Sequence, residues 1–223
     1  VRTQPVYPAS GALLMIIFKI NCRAERGPTL LDRGPHPLPM ATAKTGTFYL
    51  TETVTFPAAS AAPLRVQGTI DLGAYVNVPT GQAIAVHSVD FIFQNGTGFS
   101  GNVEDFLVGS GSITTQLTSL NPGTALVRAD NQSLIASSAL CIDQPNNIAS
   151  HVSDLFPDNF GPNKLSEAYL VVNDSMFLCA GINGSNSNAA NDQFVTVRIR
   201  CSVVKLGSSD WMSIAIQQTA NDA

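Results

Sequence analysis

The chain has 223 residues, 44% of them hydrophobic and only 13% charged, with a net charge of −4. That length can bury one substantial core, and the polarity is carried mainly by Thr, Ser, Asn and Gln, residues that suit strands, turns and uncharged surfaces. Extensive phosphate contact is excluded for most of the chain. Residues 1–39 hold five basic and two acidic residues, while the remainder holds seven basic and fourteen acidic ones, and nucleic-acid binding needs a basic stripe.

Residues 1–45 read as an extended, proline-rich N-terminal arm, and 46–223 as the folded domain. Six of the thirteen prolines lie in residues 1–39, including the alternation Pro35, Pro37, Pro39, which removes backbone donors too often for regular structure. Arg2, Lys19, Arg23, Arg26 and Arg33 make the arm the one part suited to facing an interior or a nucleic acid. The apolar run Ala12–Phe18 falls far short of the ~20 residues that span a bilayer. Lys19 interrupts it and Asn21 precedes Cys22 where a lipoprotein signal needs a small residue, so it fits a secretion signal poorly. Leu13, Leu14, Ile16, Ile17 and Phe18 are instead candidates for an inter-subunit segment, lent as a strand to a neighbouring copy. Met40, just ahead of Ala41, Thr42 and Ala43, offers a competing reading in which the natural start lies there and the upstream residues are leader.

From Thr47 onward the pattern is that of half-buried antiparallel strands, because side chains of an extended chain alternate between two faces. Phe48, Leu50, Val54 and Phe56 alternate with Thr47, Tyr49, Thr51, Thr53 and Thr55. Leu64, Val66, Ile70 and Leu72 alternate with Arg65, Gln67, Thr69 and Asp71. Val195, Val197, Ile199, Cys201 and Val203 alternate with Thr196, Arg198, Arg200 and Ser202. Candidate strands are 46–56, 64–71, 73–78, 83–94, 104–118, 124–129, 132–140, 167–173, 175–182, 193–206 and 211–217, separated by Gly, Pro and Asn turns. The fold class is therefore an all-β antiparallel sandwich with at most one or two short helices. Ile148, Val152, Leu155 and Phe156 recur at helical spacing behind Asn146 and Asn147, which can cap a first turn, so a helix is expected there. The segment 211–217 fits helix or strand, and strand is preferred.

Chemistry-bearing patterns are sparse. Gly96, Gly98 and Gly101 spell G-x-G-x-x-G after a strand, but no helix of sufficient length and no acid about 20 residues on follows, so the run reads as a loop. His87 and Asp90 lie three apart in one strand and should face opposite ways. His36, His151 and His87 are too scattered for a metal site. Glu104, Asp105, Asp154 and Asp158 could supply a carboxylate pair, a feature almost any chain offers. The sequons at Asn95, Asn131, Asn173 and Asn183 matter only in a glycosylating compartment. Cys22, Cys141, Cys179 and Cys201 have no metal spacing and read as buried free thiols. The loop Gly181–Asn191 has no apolar anchor beyond Ile182 and is expected to be exposed. No catalytic, cofactor-binding or metal residue is assigned.

About eight strands, long polar loops, a mildly basic arm and a weakly charged surface together resemble the single jelly-roll capsid proteins of tailless icosahedral viruses. The local echoes are Arg65–Val78, Ala85–Gln94 and Val195–Leu206 followed by Asp210–Gln218. The resemblance implies a jelly-roll sandwich that associates with many copies of itself through its flanks into an icosahedral shell, with the arm bridging subunits or facing the interior. It further implies a virion location after assembly inside the host cell, contact with other virion proteins, weak or no genome contact, no membrane span, no cofactor and no enzymatic activity. Two other readings compete: a secreted, extracellular module binding carbohydrate or a cell surface through Trp211, Tyr75 and Tyr169, and a filament or pilus subunit that donates Leu13–Ile20.

Overall fold

A computed structural model describes residues 42–97, 102–153, 168–188 and 190–219. The strands in chain order are β1 (Thr42–Ala43), β2 (Phe48–Phe56), β3 (Leu64–Asp71), β4 (Gln82–Asn95), β5 (Gly111–Thr118), β6 (Leu134–Asp143), β7 (Ile148–Ser153), β8 (Tyr169–Val171), β9 (Ser175–Asn183) and β10 (Gln193–Lys205), followed by one helix, α1 (Ser208–Thr219). They form two sheets. In the first, β10 lies between β4 and the end-to-end pair β1 and β2, and β8 flanks β4; the second runs β3-β9-β5-β6-β7. Every pairing is antiparallel.

The pairings nest. Strand β2 pairs with β10, β3 with β9, β4 with β8, and β5 with β6. One long antiparallel ribbon has thus been rolled so that its successive arms fall into alternate sheets, which is a double-sheet jelly roll. The alternation read from the sequence supplies the facing layers. Val54 and Phe56 of β2, Ile84, Val86, Val89 and Phe91 of β4, and Val195, Val197, Ile199 and Cys201 of β10 are buried. They meet Ile113 and Leu117 of β5 and Met176, Leu178, Ala180 and Ile182 of β9 in one core. Glu52 breaks the apolar phase of β2 yet points inward, and Gly68 on β3 leaves the room, since a Cβ there would fall 2.8 Å from the Glu52 Cγ. Burial raises this carboxyl above its ordinary value.

Several expected elements differ. Ile148–Ser153 is a strand, β7, instead of the start of a helix. Asn147 adopts the left-handed conformation (φ 52°) that ends a 3-10 turn over Gln144–Asn146 and returns the chain along β6. An apolar stripe with helical spacing does not exclude a strand when a sheet edge is available to pair with it. Leu155 and Phe156 lie outside the described residues. The C-terminal segment is helix, because Trp211, Ile214 and Ala215 then share one face against Ala83, Ala85, Val172, Val204 and Leu206. The buried Gln218 extends that face and donates to the Leu170 carbonyl at 2.7 Å.

Residues 73–78 form a turn, in which Tyr75 and Val76 both donate to the Leu72 carbonyl. Residues 104–118 divide into a 3-10 turn over Val103–Phe106 and the strand β5. Residues 124–129 form no strand. They cross the outer face of the second sheet, where Gln116 exchanges two hydrogen bonds with Val127 (2.8 and 2.7 Å) and the Cys179 thiol donates to the Ala125 carbonyl.

Leu178 is fully buried between the layers, so Leu178→Ala should lower unfolding free energy by about 2–5 kcal/mol, measured as a shift in the urea midpoint. Thr51→Ala, on an exposed position of β2, should stay within ~0.5 kcal/mol of the parent.

Candidate interaction surface

The two sheets carry different coverings on their outer faces. The strap from Asn121 to Arg128 lies over the second sheet, held by Gln116 and by a 2.7 Å hydrogen bond from Gln67 to Asn121. Helix α1 covers one end of the first sheet, above Ala83, Ala85 and Val204. Beyond the helix the first sheet presents a polar flank built from the off-phase residues of β2 and β10. Thr53 and Thr196 share a 2.8 Å hydrogen bond across the strands. The Arg198 guanidinium stacks 4.3 Å over the ring of Tyr49, which is 52% exposed. Such cross-strand pairs hold the two strands in register and leave the exposed Arg198 on this face.

His87 marks a bulge in this flank. The β10–β4 register shifts between Arg200, opposite Ser88, and Cys201, opposite Val86, so His87 has no residue opposite it. Val86 and Val89 both face the core, and the extra residue brings His87 to the outer face, the same face as the exposed Asp90. The expectation that these two side chains point to opposite faces is thereby corrected, because a bulge breaks the two-residue period. Still, His87 bonds Ser202 Oγ through Nε2 at 2.9 Å, and its Nδ1 has no partner among the described residues. Burial lowers its pKa, and the nearby Arg200 charge lowers it further.

Reading the chain for nucleophiles missed two serine–histidine pairs, His87 with Ser202 and His151 with Ser138 at 2.6 Å. Only cross-strand register could have disclosed them. Ser202 and Ser138 are both buried at 3% exposure, which closes the approach a substrate would need. His151 sits on β7, not on a helix, with its ring edge-on to Phe93. A cavity of about 230 Å³ lies elsewhere, lined by Gln132, Tyr169, Leu170, Ile214 and Gln218 among others, and it holds neither pair. Among the described residues no three His, Cys, Asp or Glu side chains are placed to hold a metal ion, and no helix is long and apolar enough to cross a membrane.

Of the candidate carboxylates, Glu104 and Asp105 fall on the 3-10 turn after β4; Asp154 and Asp158 lie outside the described residues, as do Gly98, Gly101, His36 and Cys22. So do the arm candidates Arg2, Lys19, Arg23, Arg26 and Arg33, and the segment Leu13, Leu14, Ile16, Ile17 and Phe18. Tyr75 stacks on Phe48 at 5.1 Å between centroids, Tyr169 donates to the Gln132 carbonyl, and Trp211 packs with the buried face of α1. Each aromatic of the supposed sugar platform is thus engaged in an internal contact of its own.

The loop Gly181–Asn191 also departs from expectation. Its first residues belong to β9, and Ser187 is 1% exposed. Ser187 exchanges hydrogen bonds with Ser60 and donates to the Pro57 carbonyl, while Asn186 and Asn188 bond Val108, Ala62, Phe106 and Ala59. Backbone bonding, not apolar anchoring, holds this end of the roll. Cys179 and Cys201 are buried as expected, but Cys141 is exposed, because it lies off the phase of Leu140 and Ile142 on β6.

No protein-family model and no curated protein matches the chain. Among solved structures it is similar to VP1 of Merkel cell polyomavirus in complex with 3'-sialyllactosamine, at 10% identity and a TM-score of 0.38 over 75% of this chain and 100% of that one. It is also similar to the unassembled VP1 pentamer of the same virus, at 11% identity and 0.36 over the same shares, and to turnip yellow mosaic virus, at 11% and 0.34 over 83% of this chain and 91% of that one. The class of this protein, a double-sheet jelly roll, follows from its own strand pairing.

Burial pushes the Cys201 thiol up to about 12 and raises Cys179, against a smaller opposing effect of Arg65. A thiol-directed alkylating agent at pH 7.5 should therefore modify Cys141 at least tenfold faster than Cys179 or Cys201, by peptide mass mapping; equal rates would contradict this burial. The His87 shift also carries a sign. With its folded pKa below the ordinary 6.5, the stability tied to neutral His87 is complete above that value and is lost as pH falls through the folded pKa. Denaturation midpoints should drop more between pH 7.5 and 5.5 for the parent than for His87→Gln.

Proposed function

We propose that this chain is a structural virion protein that assembles in many copies into an icosahedral capsid shell. The observation that carries the reading is the rolled, nested pairing of the whole sandwich, which leaves broad sheet flanks as the working surface. The low charge supports it, because such a surface is weakly protected from association with its own copies. An interface of standard size needs about 800 Å² per partner, which flanks of this kind can supply without a pocket, and repetition adds weak contacts into a stable particle.

In this reading residues 46–223 are the shell-forming domain. Of the arm, read as residues 1–45, Thr42–Thr45 are already bonded to β10; upstream of them it bridges subunits through Leu13, Leu14, Ile16, Ile17 and Phe18, or faces the interior with Arg2, Lys19, Arg23, Arg26 and Arg33. Partners are other copies and other virion proteins, with weak or no genome contact, and the work is structural, with no reaction catalysed. Electron microscopy and size-exclusion chromatography of the purified full chain test it. Closed particles are expected, together with smaller or fewer particles after deletion of residues 1–39; a monomer at every concentration would refute the shell, and unchanged particles after deletion would refute the arm's role.

A further inference from the structure

Four segments meet at the end of the roll where β4 and β9 finish. Residues 57–63, 102–110, 143–147 and 184–192 contain Glu104, Asp105, Asp143 and Asp192 but neither lysine nor arginine. Hydrogen bonds join them. Asp192 accepts from the Ala58 amide, the Asn188 amide donates to the Phe106 carbonyl, and Ser110 donates to Asp143 Oδ1 at 3.1 Å. Exposed apolar side chains lie among these acids. Val108 is 57% and Ile148 53% exposed. Ile148 pairs with Asp143 of β6, and the 3-10 turn that carries Val103, Glu104 and Asp105 packs beside β7, held by the buried Phe106. This end of the roll is thus an apolar patch set among carboxylates.

Positive charge gathers elsewhere. Arg65 donates to the Ile182 carbonyl and to Asn183 Oδ1, and Arg128 lies 3.5 Å from Asp130. Arg198 and Arg200 instead stand together on the outer face of β10, with Asp90 opposite Arg198 in the register. The Arg198 guanidinium lies 4.3 Å over the ring of the exposed Tyr49, so cation and ring form one pre-set unit. We propose that this flank of one copy docks on the acidic end of the next, Tyr49 seating against Val108 and Ile148 while Arg198 and Arg200 meet Glu104 and Asp105. This rests on the reading of the protein as a self-assembling one, and it names the contact. Charge selects the pairing. A flank against a flank would oppose arginines and an end against an end would oppose carboxylates, whereas the unlike surfaces attract. Tyrosine and arginine are the side chains that most often anchor a protein interface, and a guanidinium can hold a carboxylate through two parallel hydrogen bonds. The two surfaces also lie on opposite sides of the roll. Strand β2 packs on β3 at one side, while β6 and β7 finish the second sheet at the other. The contact is therefore head to tail, and it closes into a ring or grows onward according to the rotation between successive copies.

Two double variants of the full chain test this by sedimentation velocity at low salt: Glu104→Lys with Asp105→Lys, and Arg198→Glu with Arg200→Glu. Each alone should self-associate at least about tenfold more weakly than the parent, because like charges then face each other. Their equimolar mixture should regain the parent's association, since each supplies the charge the other lacks; a mixture as weak as its components overturns the contact. Arg198→Lys keeps the charge and gives a check free of any folding defect. A carbodiimide should join the new amine to Glu104 or Asp105, and with isotope-labelled and unlabelled protein mixed, mass spectrometry should find linked peptides of mixed label. Links within single copies only, or no links, overturn the contact. Closed particles without these links reject the contact and keep the shell; linked oligomers that never close into particles keep the contact and reject the shell; a parent that stays monomeric rejects both.

Discussion

Strand β10 is the member on which the rest of the roll depends. It inserts between β2 and β4, and every one of its thirteen residues from Gln193 to Lys205 is paired with β4, while Gln193–Cys201 is also paired with β2. Its partners lie roughly a hundred residues or more upstream, so the ladder closes a long loop before any bond rewards it. The cost of that closure grows only slowly with loop length, but contacts of such separation slow folding. Both sheets then need β10 in place. Without it, Phe48–Phe56 has no neighbour, and Val54, Phe56, Ile84 and Val86 lose the face formed by Val195, Val197, Ile199 and Cys201.

Once the ribbon is rolled, the outer faces become the question. A strand sandwich exposes two flanks, and this chain treats them differently, strapping one with the Asn121–Arg128 segment and capping an end of the other with α1. The flank left between is polar, with the Thr53–Thr196 pair, Arg198 stacked on Tyr49, and the further charges of Arg200 and Asp90. The cavity beside α1 lies away from the two serine–histidine pairs, and both of those serines are buried.

Legibility differed by mechanism. Where one face is buried and the other solvated, as on β2 and β10, the two-residue period prints itself on the sequence, and strands 64–71 and 193–206 could be placed to within a residue or so. Ile148–Ser153 was not legible as a strand, since its apolar spacing fits a helix and only the presence of β6 beside it selects an extended chain. The C-terminal segment failed in the opposite sense. Trp211, Ile214 and Ala215 acquire a common face only when Val204, Leu206 and Val172 offer an apolar patch to meet it. The 124–129 segment has strand-like residues, yet Gln116 takes the backbone of Val127 into side-chain bonds and leaves no ladder to join.

By itself, the sequence determined the all-β class, the inner and outer faces of the long strands, the shortage of charge and the lack of a recognisable catalytic motif, because each depends on local side-chain order or on composition. Tertiary structure alone decided which strands pair, that their pairing nests into a jelly roll, and where the bulge turns His87 outward. Those outcomes are set by hydrogen bonds between residues far apart along the chain, and no local pattern encodes the partner of an unpaired backbone group.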